Sequence, residues 1–511
     1  MEHYRRRTTM KNNKRLSGIL LHPTSFPSPY GIGDLGEVAY EFVDFLAEGG
    51  QHLWQILPLT PTGYGDSPYQ SFSAFAGQPL LIAPSHLLKL GLITEADLTD
   101  CPVSDPEHID YGSVIPWKQQ LFRIAYEHFT DGTFHDEQFL SDFKQFIEEQ
   151  NEWLNDYALF MACKDVHNGA CWLDWAEEYR IPTEEFRQHL QSTLHHQIQY
   201  YQFLQFLFFK EWLSLKSYAN ERDIQIIGDI PIFVSMDSAD VWANQHLFQL
   251  DSNGYPLKVA GVPPDYFSAT GQLWGNPLYA WDAHLEDGFT WWISRIRHQL
   301  HSLDILRIDH FRGFQAFWAV PYGEETAING EWILAPGYEL FHAIQEALGD
   351  DLPIIAEDLG IITEEVEALR DAFHFPGMKV LQFAFDSLGE GSYLPHQFTS
   401  PDCVCYTGTH DNDTTLGWYL TLNPDCQKKV CQYTRNRDVA YISHDLIRTA
   451  LGSIARYAIF PMQDVLGYGS SARMNTPGKA SGNWSWRYKE GVLSQELADD
   501  LKEMTHLYGR Y

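Results

Sequence analysis

The stretch LRIDHFRGF, residues 306–314, sets Arg307, Asp309, His310 and Arg312 within six positions of what otherwise reads as a buried strand. An unpaired buried charge is costly, so a core strand carries such a run only where the charges face a polar pocket. Side chains two apart on a strand share a face, which puts Arg307 beside Asp309 with alpha carbons about 6.6 Å apart. A guanidinium there holds the carboxylate ionised. Two further acids close apolar runs in the same way: Glu357 in IIAEDLG and Asp411 in GTHDNDT. Glu357 follows an apolar run ending at Ala356, surroundings that favour its protonated form and suit a general acid. One carboxylate kept ionised and one kept protonated is what glycosyl transfer requires, with the pair roughly 5 to 5.5 Å apart in retaining enzymes. A single strand-end acid is commonly a helix cap or turn former. Three together, two of them flanked by His, point to one shared site.

Such side chains need a frame that brings several strand ends to one rim. Eight apolar runs alternate with helical patterns: 17–22, 52–59, 224–234, 304–311, 352–359, 378–385, 404–411 and 456–466. That alternation marks parallel strands joined by crossover helices. Eight units suggest a closed (β/α)8 TIM barrel, a fold of about 250 residues that exceeds 400 with insertions. Between the first two runs Asp34 is expected to cap a helix, with Glu37 three residues on and Val38, Phe42, Phe45 and Leu46 forming its apolar stripe before Gly49 and Gly50. After the fifth run Thr363 caps a helix whose inward residues are Val366, Leu369 and Phe373. The region from about 84 to 223 is too long for one connection and reads as helical throughout. The expected organisation is a basic, disordered tail at 1–16, a catalytic barrel at 17–83 and 224–511 with long loops around the cleft, and a mostly helical inserted subdomain at 84–223.

Composition narrows the class. The 511 residues are 44% hydrophobic, with 16 Trp, so a large core is assured and ring faces are abundant. A net charge of −33 argues against nucleic acid and anionic membrane partners, which need clustered Lys and Arg. The segment YYQFLQFLFFKEWLSL from Tyr200 is interrupted by Gln202, Gln205, Lys210 and Glu211 and reads as a buried helix, not a membrane span. Seven cysteines form no disulfide framework and fit a reducing, cytoplasmic setting; Cys403 and Cys405 lack a second ligand pair for a metal. GIGDLG, residues 31–36, satisfies a dinucleotide fingerprint, but Pro23, Pro27 and Pro29 separate it from its strand and no acidic residue ends the second one. It is a turn with helix punctuation.

LRIDHFRGF, IAEDLG, TGTHDNDT, GDIPIFV, PDYFSATGQLWGNPLY and ARMNTPGKASGNW, in this order, resemble the amylomaltase family, the 4-alpha-glucanotransferases of the retaining alpha-amylase-like clan. The similarity runs from about residue 17 to near the C-terminus. It implies Asp309 as nucleophile, Glu357 as general acid/base and Asp411 as the carboxylate that grips sugar hydroxyls. Arg307, Asp229 and His410 match the shell around the cleaved bond. In GYGDSPYQSFSAFAG, Tyr64, Ser67 and Tyr69 would contact glucose units, and this loop continues with Gln78 where the family usually has Asn. Tyr266, Phe267 and Trp274 lie in a stretch that resembles the flexible cover of the cleft. There Gly261, Pro263, Pro264, Gly271 and Gly275 disfavour a helix or strand core, leaving ring stacking on sugars as the better use.

The expected activity is transfer of alpha-1,4-glucan segments between maltooligosaccharides, with glucose also an acceptor, by a double displacement needing no cofactor and no metal. The alternative is an alpha-1,4-glucan hydrolase with the same carboxylates and a wetter cleft. Two other classes remain open at this point. THDND with Asp309 and His310 offers metal ligands, though Arg307 would oppose a cation. A glucan-binding protein without turnover is disfavoured by the presence of all three acids. Donor length, cyclisation, oligomeric state and pathway are not encoded legibly.

Overall fold

The computed structural model describes residues 14–102, 105–264, 268–385, 393–479 and 481–511. The strands, in chain order, are β1 (Leu16–Leu20), β2 (Leu53–Gln55), β3 (Gln225–Pro231), β4 (Lys258–Val262), β5 (Gln272–Pro277), β6 (Ile305–Asp309), β7 (Ala316–Pro321), β8 (Glu331–Leu334), β9 (Ile354–Ala356), β10 (Gly377–Val380), β11 (Cys403–Tyr406) and β12 (Tyr457–Pro461). Eight of them, in the order β10-β11-β12-β1-β2-β3-β6-β9, form one parallel sheet. The Ala356 N–H donates to the Pro376 carbonyl at 2.9 Å and closes the ring between β9 and β10. The result is a (β/α)8 barrel, and each of the eight apolar runs overlaps one of its strands, to within one residue at the N-terminal end. The strands are buried on both faces, which is why they read as continuous apolar runs.

The crossover helices form where the sequence placed them, with one shift. Glu37–Glu48 buries Phe42, Phe45 and Leu46, but its N-cap is Gly36, not Asp34. Asp34 instead takes the Gly36 N–H at 2.9 Å, just ahead of the helix. Thr363 is the N-cap of Glu364–Ala372, which buries Val366 and Leu369. Gly33 of GIGDLG lies so close to Pro23 that a Cβ would fall 2.0 Å from its carbonyl, a packing reason for that glycine. At the N-terminus the Arg15 guanidinium donates to the carbonyls of Leu451 and Ser453 at 2.8 and 2.7 Å, and residues 1–13 of the expected tail lie outside the described residues.

Long helices occupy 84–223: Tyr111–Thr130, Glu137–Glu149, Asn151–Val166 and His195–Asn220 are the main ones. The last buries Gln202, Gln205 and Glu211 among aromatics. Gln205 explains its own burial: its side-chain amide accepts the Gly77 N–H at 2.7 Å and donates to the Gly77 carbonyl at 2.9 Å. A Cβ on Gly77 would sit 1.9 Å from the Phe208 ring, so only glycine lets the loop end seat there. One hydrophobic cluster runs unbroken from the barrel into these helices. Among the described residues no helix is long and apolar enough to cross a membrane.

A second sheet, which no sequence pattern announced, has four antiparallel strands in the order β5-β4-β7-β8. Its strands β4 and β5 take up both ends of the 261–275 stretch, where strand structure was disfavoured. Gly261 permits the pairing, since a Cβ there would meet the Gln272 carbonyl at 2.6 Å.

Candidate active site

The barrel rim gathers the three acids. Asp309 ends β6, Glu357 directly follows β9, and Asp411 lies five residues beyond β11. Register pairs Ile308 with Ala356, and two further bonds, Glu357 N–H to Ile308 and Phe311 N–H to Glu357, both 3.1 Å, carry the pairing past the strand ends. Asp309 and Glu357 are therefore neighbours on adjacent strands, whose backbones run about 4.8 Å apart.

Arg307 is the hub. Its guanidinium donates to Asp309 Oδ1 at 2.9 Å and to Asp229 Oδ2 at 2.5 Å, and its Nε reaches Met378 Sδ at 3.4 Å. Arg307 is 3% and Asp229 2% exposed, so both charges are buried. They are compensated by one another, the condition under which buried ions are tolerated. Asp229 sits opposite Arg307 in the β3–β6 register, on the same interior face. Its Oδ2 also accepts the Tyr69 hydroxyl at 2.8 Å. The Tyr69 ring stacks on His410 at 5.1 Å, and His410 Nε2 lies 3.3 Å from Asp411 Oδ1. Burial pulls the His410 imidazole down, yet the Asp411 charge and hydrogen bond outweigh it and leave its pKa raised. Burial likewise pushes Asp411 up, but His410, the Asn475 amide at 2.6 Å and Arg307 hold it well below the usual carboxylate range.

Glu357 is tuned the other way. Burial first, then the Asp309 charge, push its carboxyl up to about 8, against the opposing pull of Arg307 and two backbone donors. Those donors are Leu359 N–H, 2.8 Å from Oε1, and His310 N–H, 2.7 Å from Oε2. His310 is left-handed, φ 54 and ψ 48, at the start of the short turn Phe311–Phe314. Its ring meets Trp274 edge-on at 4.7 Å, and burial lowers the imidazole to about 4, so it is neutral near pH 7.

Most of the remaining expected residues can be located. Trp274, on β5, reaches the cluster through His310. Ser67 Oγ accepts the Tyr69 N–H at 3.3 Å, a turn contact within its own loop. The Tyr64 side chain and all of Tyr266 and Phe267 lie outside the described residues. Gln78 is buried and binds the Thr60 carbonyl and the Thr62 hydroxyl, so it braces the loop from within. Three neighbours were missed. Asn475 holds Asp411, Arg473 bonds the Asp411 and Asn475 carbonyls, both at 2.7 Å, and Trp484 packs 5.8 Å from Tyr69 and 5.9 Å from His410. Their signal was the ARMNTPGKASGNW motif, whose individual side chains were not assigned. Among the described residues no three His, Cys, Asp or Glu side chains converge as a metal-holding group.

A barrel with paired acids of opposite tuning on its C-terminal rim has the layout of a carbohydrate-processing enzyme. The chain belongs to the 4-alpha-glucanotransferase family, glycoside hydrolase 77, whose model matches residues 21–494. It is 52% identical over 500 residues to the 4-alpha-glucanotransferase of Synechocystis sp., covering 98% of each chain. It is 44% identical over 508 residues to the chloroplastic/amyloplastic 4-alpha-glucanotransferase of Solanum tuberosum, covering 98% of this chain and 87% of that one. Its structure superposes with a TM-score of 0.93 on the amylomaltase of Streptococcus agalactiae in complex with acarbose, at 42% identity over 97% of this chain and 100% of that one.

Proposed function

We propose that this 4-alpha-glucanotransferase works by a retaining double displacement on alpha-1,4-glucans, with Asp309 as nucleophile and Glu357 as acid and base. The carrying observation is the adjacency of Asp309, ion-paired to Arg307, and Glu357, whose surroundings favour the proton. In the first step an Asp309 oxygen bonds to the anomeric carbon, the glycosidic C–O bond breaks, and Glu357 gives its proton to the leaving 4-oxygen. In the second an acceptor 4-hydroxyl loses its proton to Glu357 and displaces Asp309, restoring both groups. Asp411, kept anionic, grips ring hydroxyls of the sugar at the cleavage point. Asp229, His410, Tyr69 and Trp274 shape that subsite, and Ser67 lies at its mouth. Water exclusion decides transfer over hydrolysis, and the loop beside Trp274 supplies it. Maltooligosaccharides are donors and acceptors and glucose is an acceptor. Neither metal nor redox cofactor enters this chemistry.

The same proposal keeps residues 84–223 as a subdomain inserted into the 17–83 and 224–511 barrel. The free thiols of all seven cysteines support a reducing, cytoplasmic location. Incubation with maltotriose tests the function. Glucose and longer oligosaccharides should form at a constant number of reducing ends, whereas a steady rise in reducing ends would mean hydrolysis.

A further inference from the structure

Arg312 is buried at 8% exposure, yet among the described residues no carboxylate pairs with it and its Nε–H has no acceptor. Leaving a buried donor of this kind unsatisfied opposes folding, so the position needs a reason. Among the described residues its one hydrogen bond runs from Nη1 to the Ile361 carbonyl at 2.6 Å, and its guanidinium lies 3.9 Å over the Trp332 ring. Trp332 belongs to β8 of the second sheet and meets Trp318 of β7 edge-on at 5.3 Å, so the cation rests on a braced platform. Ile361 and Gly360 are themselves exposed and contribute little packing. Two residues before Ile361, Leu359 presents the N–H that meets Glu357 Oε1. The other end of this segment is fixed separately, by Asp358 accepting the Met378 N–H at 2.7 Å.

We propose that Arg312, seated on Trp332, is a positioning residue for Glu357: by holding exposed Ile361 it tethers the Glu357–Ile361 loop so that the Leu359 N–H stays on the acid. Through Trp332 the second sheet thereby acts on the acid itself, apart from any contact that Trp274 makes with sugar. His310 and Arg312 belong to the same turn, one giving its own N–H to Glu357 and the other securing the second donor. The inference rests on the reading of Glu357 as the proton donor, and its test separates the two.

The variants are Arg312→Met, Arg312→Lys and Trp332→Leu, assayed with maltotriose and with maltotriosyl fluoride, whose leaving group needs no proton. For Arg312→Met, maltotriose turnover should fall about 100-fold, the scale of a misplaced catalytic group. KM should stay within about threefold, since binding in the ground state is untouched. The alkaline limb of the kcat profile should move to higher pH, because a lost N–H bond no longer favours the carboxylate. First-turnover fluoride release should change by less than about threefold, as that step bypasses the acid. Arg312→Lys, whose ammonium can still donate to the Ile361 carbonyl, should recover most of the loss. Trp332→Leu keeps the arginine and should show the same pattern at about two- to fivefold, so the proposal stands testable even if the methionine variant does not fold. Equal losses on both donors with an unmoved alkaline limb, or no loss at all, would overturn it. Glu357→Gln, run alongside, should lose maltotriose turnover but keep first-turnover fluoride release. Equal loss of both there would remove the acid/base reading itself, whatever Arg312 does.

Discussion

The barrel rim and the helices of 84–223 both bury charge, and they do so differently. On the rim Arg307 is shared between two carboxylates, and His410, Asp411 and Asn475 continue the network. In the helices Lys118 is fully buried and, among the described residues, donates to the carbonyls of Leu80 and Ile82, at 2.9 and 2.8 Å, with the Phe122 ring 6.0 Å from its ammonium. The rim network sets protonation states and leaves the carboxylates of Asp309 and Asp411 partly exposed. Lys118 fastens the segment that follows the Gly63–Gly77 loop and leaves nothing free for a substrate. Rim substitutions should therefore strike turnover, and helical ones stability.

The sharpest break should come from Asp309→Asn, which removes the attacking oxyanion. Turnover should fall about 10⁴-fold or more while maltooligosaccharide binding, followed by calorimetry, persists. Glu357→Gln should lose about 10² to 10⁴ in turnover of maltotriose, the usual worth of a general acid, and regain its first step with a fluoride donor. Asn475→Ala frees Asp411 from its amide donor, and kcat/KM should drop about tenfold with the melting temperature nearly unchanged. In the native chain the first step needs Glu357 protonated, so turnover should decline as pH rises through about 8.

Lys118→Met is the counter-case, with near-native activity and a loss of about 1–3 kcal/mol from two unsatisfied carbonyls, read by denaturant unfolding. Its pH dependence has a definite sign. Burial lowers the amine from 10.5 to about 8 in the folded chain, so the unfolded chain binds the extra proton between those values. Native stability should thus gain from this lysine as pH rises from about 8 to 10.5, and the methionine variant should lack that gain.

How far these regions were legible follows from burial and distance along the chain. Barrel strands lie between core and helices, so they show as apolar runs; β8 is exposed along most of its length, and β4 and β5 each contain a glycine that reads as loop. Arg307 with Asp309 was visible because strand geometry alone puts i and i+2 on one face. Asp229 with Arg307 was not, because their meeting depends on the register of β3 against β6. The raised Glu357 could be argued from its apolar approach, whereas its two N–H donors depend on a left-handed His310 that no local pattern announces. Arg312 was noted only as one more charge in LRIDHFRGF; its platform comes from the sheet that was not foreseen.

The most direct measurement is mass spectrometry of Glu357→Gln after exposure to maltotriosyl fluoride. The intact mass should rise by one maltotriosyl group, and peptide mapping should place it on Asp309. Fluoride release without an adduct, or an adduct on any other residue, would contradict the account.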